Sequence, residues 1–172
     1  MTTTLRSSIT AEVGWTWRDQ VGTSRITDSN RFWYDKDLSD GADVDQADAV
    51  WHVEDQSLAA GESTTVELDG LEQSRFGDTI TIRLSKVKAL LIVNKNTSEG
   101  GHLLVGAAVV DEWYAPFGAS GDTAKVMADG ALLLSSPREG WDVEADSAAL
   151  KIAAVGGNVS YDVAILGTLA GA

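Results

Sequence analysis

The residues best suited to chemistry in this 172-residue chain are its aspartates, six of which fall in DKDLSDGADVDQAD at 35–48 with a single lysine among them. Calcium needs several hard oxygen ligands on a flexible loop, and Asp35, Asp37 and Asp40 form the candidate ligand set. The spacing departs from a calcium loop of the EF-hand type. Counted from Asp35, Gly41 falls one position late, and the closing position holds Gln46 where a glutamate is needed. The competing reading is a solvated acidic loop whose aspartates make local side-chain turns. No other cofactor is expected.

Nucleophilic chemistry has little to draw on. The two histidines, His52 and His102, sit beside Trp51 in an apparent strand and after two glycines in a turn. Neither carries a motif, and GxSxG is absent, so no catalytic residue is assigned and the chain reads as a non-enzyme. Asp111 and Glu112 beside Trp113 are the local arrangement that best suits a sugar. The competing reading is a loop anchored by Trp113 with its acids in water.

Six tryptophans need an account. Trp15, Trp51 and Trp141 occupy alternating or turn-adjacent positions that suit the core of a sandwich. Trp17, Trp33 and Trp113 have polar or aromatic neighbours and are candidates for an interface or a ligand platform, together with Phe32, Tyr34, Tyr114 and Phe117. The adjacent Phe32, Trp33 and Tyr34 cannot all face one side of a strand, so at least one is expected to be exposed or to cover another subunit.

The elements that must position these residues are strands. Ile9, Ala11, Val13, Trp15 and Trp17 alternate with Thr10, Glu12, Gly14 and Thr16, the pattern of a half-buried strand. Residues 22–31 read as polar and turn-rich, and 35–48 as a loop. From residue 49 onward, aliphatic and β-branched runs recur between Gly, Asn and Asp turns, as at 64–68, 79–84, 103–110, 131–136, 149–155 and 159–167. Residues 71–78 suggest a helical turn or an irregular bend. Ala89 to Val93 is apolar on both faces and suggests a central strand covered on both sides. NKNTSEGG at 94–101 is the strongest hairpin-like loop, and 111–123 looks like a loop with its own hydrophobic anchor. The expected fold is all-β, with about nine or ten strands in the chain and a β-sandwich over 46–172. An N-terminal strand, arm and Asp-rich loop fill 1–45.

Composition narrows the partners. A chain of this length can bury a core without staples, and with no cysteine it has no disulfides and no thiol chemistry. A formal charge of −13 should repel nucleic acid backbones and anionic lipid surfaces, so direct nucleic-acid binding is not expected. The opening MTTTLRSSITAEV has no apolar signal region. No uncharged apolar stretch approaches the roughly 18 to 20 residues a membrane span needs, so no membrane association is expected.

The order of several segments resembles small structural proteins of tailed bacteriophages and prophages. The matching pieces include the residues around Trp51 at 47–51, LAAGESTTVELDGL at 58–71, FGDTITIRLSKVKALLIVN at 76–94 and LLVG at 103–106. ADGALLLSSPREGWDV at 128–143 and SYDVAILG at 160–167 complete the set. The resemblance implies a virion protein made in the host cytoplasm, of capsid decoration or tail and fibre type, with a jelly-roll-like β-sandwich. A homo-oligomer is expected, with a trimer as the number the sandwich architecture suggests, contacting the major capsid protein or other virion proteins. The resemblance carries over no catalytic residue. The alternative is a carbohydrate- or receptor-binding module of a tail fibre or baseplate, gripping sugars through Trp113, Tyr114 and nearby acids.

Overall fold

The computed structural model describes residues 4–75, 77–97 and 100–171. Among them are thirteen strands and no helix, so the protein is all-β and sandwich-like. In chain order they are β1 (Ser7–Val21), β2 (Ser24–Leu38), β3 (Ala49–Leu58), β4 (Ser63–Glu67), β5 (Leu71–Arg75), β6 (Asp78–Ile82) and β7 (Leu84–Asn94). Then follow β8 (His102–Gly106), β9 (Thr123–Val126), β10 (Ala131–Ser135), β11 (Trp141–Asp142), β12 (Ala149–Val155) and β13 (Val159–Leu169). One sheet runs β10-β7-β13-β3 with β11 pairing on β7, and the other runs β4-β12-β8-β9.

The core lies between these sheets. Leu90 and Ile92 of β7 and Val163 and Ile165 of β13 meet Leu103 and Val105 of β8 and Leu150 and Ile152 of β12 in one buried cluster. The side chains recur at every second residue, which is how strands place them on one face. Each is worth about 1.5 to 3 kcal/mol on leaving water. The indole N–H of Trp51 donates to the carbonyl of Glu72 at 2.8 Å, which ties β3 to the small β5–β6 hairpin.

Several expectations need correction. The strand number exceeds nine or ten because exposed strands, with polar residues on one or both faces, were hidden among apparent turns. Residues 24–31, read as turn-rich, belong to β2, and 71–75 form β5, which pairs with β6 as a hairpin with Arg75 opposite Asp78. Phe76 of the 71–78 segment lies outside the described residues. The 94–101 segment is no hairpin: it carries the chain from β7 in one sheet to β8 in the other, with residues 98 and 99 outside the described residues. The loop read at 35–48 begins only at Ser39, since β2 runs to Leu38 and includes Asp35 and Asp37. Strand β7 is central in its sheet, but its outer face is only partly covered: Ala89 is buried and Leu91 is 37% exposed.

Strands β1 and β2 form a separate two-stranded ribbon, paired continuously from Ser7–Leu38 to Val21–Ser24. Fifteen residues per strand at about 3.4 Å each make it about 50 Å long. Every residue from Thr10 to Asp35 is exposed. Only the root packs on the sandwich, where Ile9 and Leu38 meet Ala47 and Ala89, with Leu133 and Leu166 alongside. The 39–48 segment that joins arm to body is clamped. Lys36 pairs with Asp45 at 3.0 Å, and the buried Lys88 ammonium donates to the carbonyls of Arg138 at 3.0 Å and Asp43 at 3.4 Å.

Candidate functional site

The arm is the candidate site, and its chemistry follows from its register. Side chains directly opposite each other in an antiparallel pair share a face. Val13 stands opposite Phe32, Ala11 opposite Tyr34, Trp15 opposite Asn30, Trp17 opposite Asp28 and Asp19 opposite Ile26, so these residues line one face. The other face pairs Thr10 with Asp35, Glu12 with Trp33, Gly14 with Arg31, Thr16 with Ser29, Arg18 with Thr27 and Gln20 with Arg25. The ribbon is therefore amphipathic without a core beneath it: one face is aromatic and aliphatic, the other polar.

The turn sets this register. Gly22 and Thr23 form a two-residue loop, with Gly22 at φ 62°, the glycine-first arrangement whose twist suits a tight hairpin. Cross-strand contacts then hold the ribbon. On the apolar face the Trp15 and Phe32 rings lie 5.6 Å apart, and the Trp15 indole N–H donates to Asp28 at 3.4 Å. On the polar face the Thr16 and Ser29 hydroxyls are 3.1 Å apart, Thr10 donates to Asp35 at 3.2 Å, and Arg31 pairs with Glu12 at 3.6 Å. The Arg31 guanidinium also sits 6.0 Å over the Trp33 ring. These contacts are all in water and worth little individually.

The candidate aromatics divide between two places. Trp17, Phe32, Trp33 and Tyr34 are on the arm and exposed, Trp17 and Phe32 at 73% each, but Trp33 faces away from the other three. Trp113, expected on a platform, is instead buried at 1% exposure. Its indole N–H donates to the Asp142 carbonyl at 2.9 Å, and its ring meets Phe117 and Trp141 edge-on at 6.4 Å. Phe117 packs partly buried against the core, and Tyr114 alone of that loop's aromatics is exposed. Trp15, expected in the core, is exposed on the arm. The half-buried strand expected at 9–17 is exposed beyond Ile9. Alternation marked the apolar face of β1 correctly; what sequence missed is that β2 supplies a matching face, for which the Gly22-Thr23 turn between alternating runs was the available signal.

The acids have structural uses. Asp35 caps the Thr10 hydroxyl and Asp40 accepts the Leu5 backbone N–H at 2.8 Å. Among the described residues, no group of three or more His, Asp or Glu side chains is placed to hold a metal ion. Glu112 accepts the Ser120 hydroxyl at 2.6 Å and the Gly121 N–H at 3.0 Å, and these bonds hold its carboxyl below the usual carboxylate range. It fastens the 112–121 loop over Trp113. His52 and His102 lie on β3 and β8, in different sheets.

Beside the arm root, Ile9 borders an open apolar groove on the outer face of the β10-β7-β13-β3 sheet, floored by Ala89, Leu91, Leu133, Ala164 and Leu166. Comparison with family models, with curated proteins and with solved structures finds no match to this chain.

Proposed function

We propose that this chain is a non-enzymatic structural protein of a tailed-phage virion, a capsid decoration protein that associates with its own copies on the particle surface. The observation that carries the reading is the arm: a long ribbon with an uncovered aromatic face, standing on an acidic sandwich. A lone two-stranded ribbon is marginal in water, and an apolar face of this extent marks an interaction surface. The resemblance to phage structural proteins supplies the setting. The acidic body would keep decorated particles apart. The sugar-binding alternative loses its main ring with the burial of Trp113.

The test is co-sedimentation with particles stripped of the protein, alongside a light-scattering mass. Saturable binding to particles is the expected result. A chain that ignores them overturns the virion role.

A further inference from the structure

The apolar face of the arm is too large to be incidental. Trp17, Phe32 and Val13 are 70% exposed or more, and Ile26, Val21, Tyr34 and Trp15 between 37% and 58%. Together these side chains offer on the order of 800 Å², which is what one partner contributes to a stable interface. We infer that this face is covered by the same face of a second copy of the chain, the two arms lying face to face and antiparallel. The inference rests on the self-association proposed above and adds its surface, its direction and its number.

Charge selects the occupant. Between Ala11 and Tyr34 the arm carries Arg18, Arg25 and Arg31 against Glu12, Asp19 and Asp28, so its charges cancel, whereas the chain as a whole stands at −13. A second copy can approach arm to arm without the repulsion that body-to-body contact would bring. An anionic membrane is a poor occupant, because all three arginines lie on the polar face and the apolar face carries Asp19 and Asp28 near its tip. The one cation on the apolar face, Lys36 at the root, is already paired with Asp45. Antiparallel packing keeps the tip acids Asp19 and Asp28 of one arm away from those of the other; parallel packing would stack acid on acid. Two sheets stacked in this way sit about 10 Å apart, close enough for the rings of one arm to fall between those of the other. The polar faces, with Trp33, remain outward. The unit is thus a pair in place of the trimer expected from the architecture.

The chain's lack of cysteine makes the test direct. In sedimentation velocity at tens of micromolar, the wild type should run at twice 18.2 kDa. Phe32→Glu and Val13→Glu should each weaken pairing by about tenfold or more, which corresponds to about 1.4 kcal/mol. Trp33→Ala, on the outward face, should leave the mass unchanged. A short bis-maleimide should couple Asn30→Cys chains, since Asn30 lies mid-arm on the apolar face, but not Ser29→Cys, one residue along on the polar face. Ile26→Cys, near the tip, should stay uncoupled. A monomeric wild type, or equal coupling at positions 29 and 30, overturns the inference. Coupling through position 26 as readily as through 30 overturns the antiparallel direction. Cross-linking reads the contact even if a glutamate variant frays the arm. A monomer that still decorates particles sinks the pairing alone, and a pair that ignores them sinks the virion role alone.

Discussion

The arm and the sandwich are built from the same alternation and end in opposite environments. In β13, Val159, Tyr161, Val163 and Ile165 recur every second residue and are buried to 4% exposure or less. In β1, Val13, Trp15 and Trp17 recur with the same period and stand in water. Alternation therefore specifies which side chains share a face, and only a second layer decides whether that face is covered. The sandwich supplies its own second layer. The arm does not, and the difference locates where this protein must look outside itself.

The comparison breaks most visibly in stability. Trp113→Ala removes the largest fully buried side chain of the body and should cost about 3 to 5 kcal/mol in denaturant unfolding. Trp17→Ala, measured under conditions that keep the chain monomeric, should stay within about 0.5 kcal/mol of wild type. Comparable losses would mean that the arm is packed on the body after all.

Glycine substitutions sharpen the contrast at backbone level. At Gly167 in β13 an added Cβ would lie 2.3 Å from the Lys86 carbonyl oxygen, so Gly167→Ala should cost about 2 to 3 kcal/mol. At Gly14 in β1 the nearest atom to an added Cβ is 3.7 Å away, so Gly14→Ala should be neutral or stabilise the arm by about 0.5 kcal/mol. The readouts are the midpoint of body unfolding for the first and amide exchange along β1 and β2 for the second.

A smaller effect is expected in acid. The depressed Glu112 carboxyl contributes stability that is present above the ordinary carboxylate range and lost as pH falls through its lowered value. Glu112→Gln should flatten that acid limb by about 1 kcal/mol or less, because the group is near solvent. An unchanged limb would show that the 112–121 loop holds without its carboxylate. Slightest of all, Trp33→Ala should leave both stability and mass unchanged, since the side chain is 66% exposed on the outward face with the Arg31 guanidinium 6.0 Å over its ring.

Much of the sandwich was legible in the sequence because β7, β12 and β13 carry their own aliphatic rows and their turns carry glycine or asparagine. Strands β2 and β5 were obscured for one physical reason: with polar residues on a wet face they lack the apolar contrast by which strands are read. The crossing at 94–101 was misread because Asn- and Gly-rich composition marks a change of direction without saying which sheet receives the chain. Trp113 was placed on a platform because its sequence neighbours are polar or aromatic, whereas its burial supports the competing reading of a loop anchored by Trp113; of the rings it meets, Phe117 belongs to that loop and Trp141 comes from a strand that only folding brings to it. The amphipathic arm lay between these cases: β1 announced its apolar face, but the mate of that face begins only after Gly22.

In mechanical terms the arm is a cantilever. Among the described residues the chain joins it to the sandwich through the 39–48 segment after β2, and Ile9 and Leu38 pack there too, so a load applied 50 Å out at the Gly22 tip, on the estimate of about 3.4 Å per residue, reaches the body at that root. The carbonyls of Asp43 and Arg138 held by the Lys88 ammonium, with the Lys36–Asp45 pair beside them, form the built-in end of the beam. Bending moment is greatest there, so the stiffness with which the tip is aimed is set by a buried lysine far from anything the tip touches.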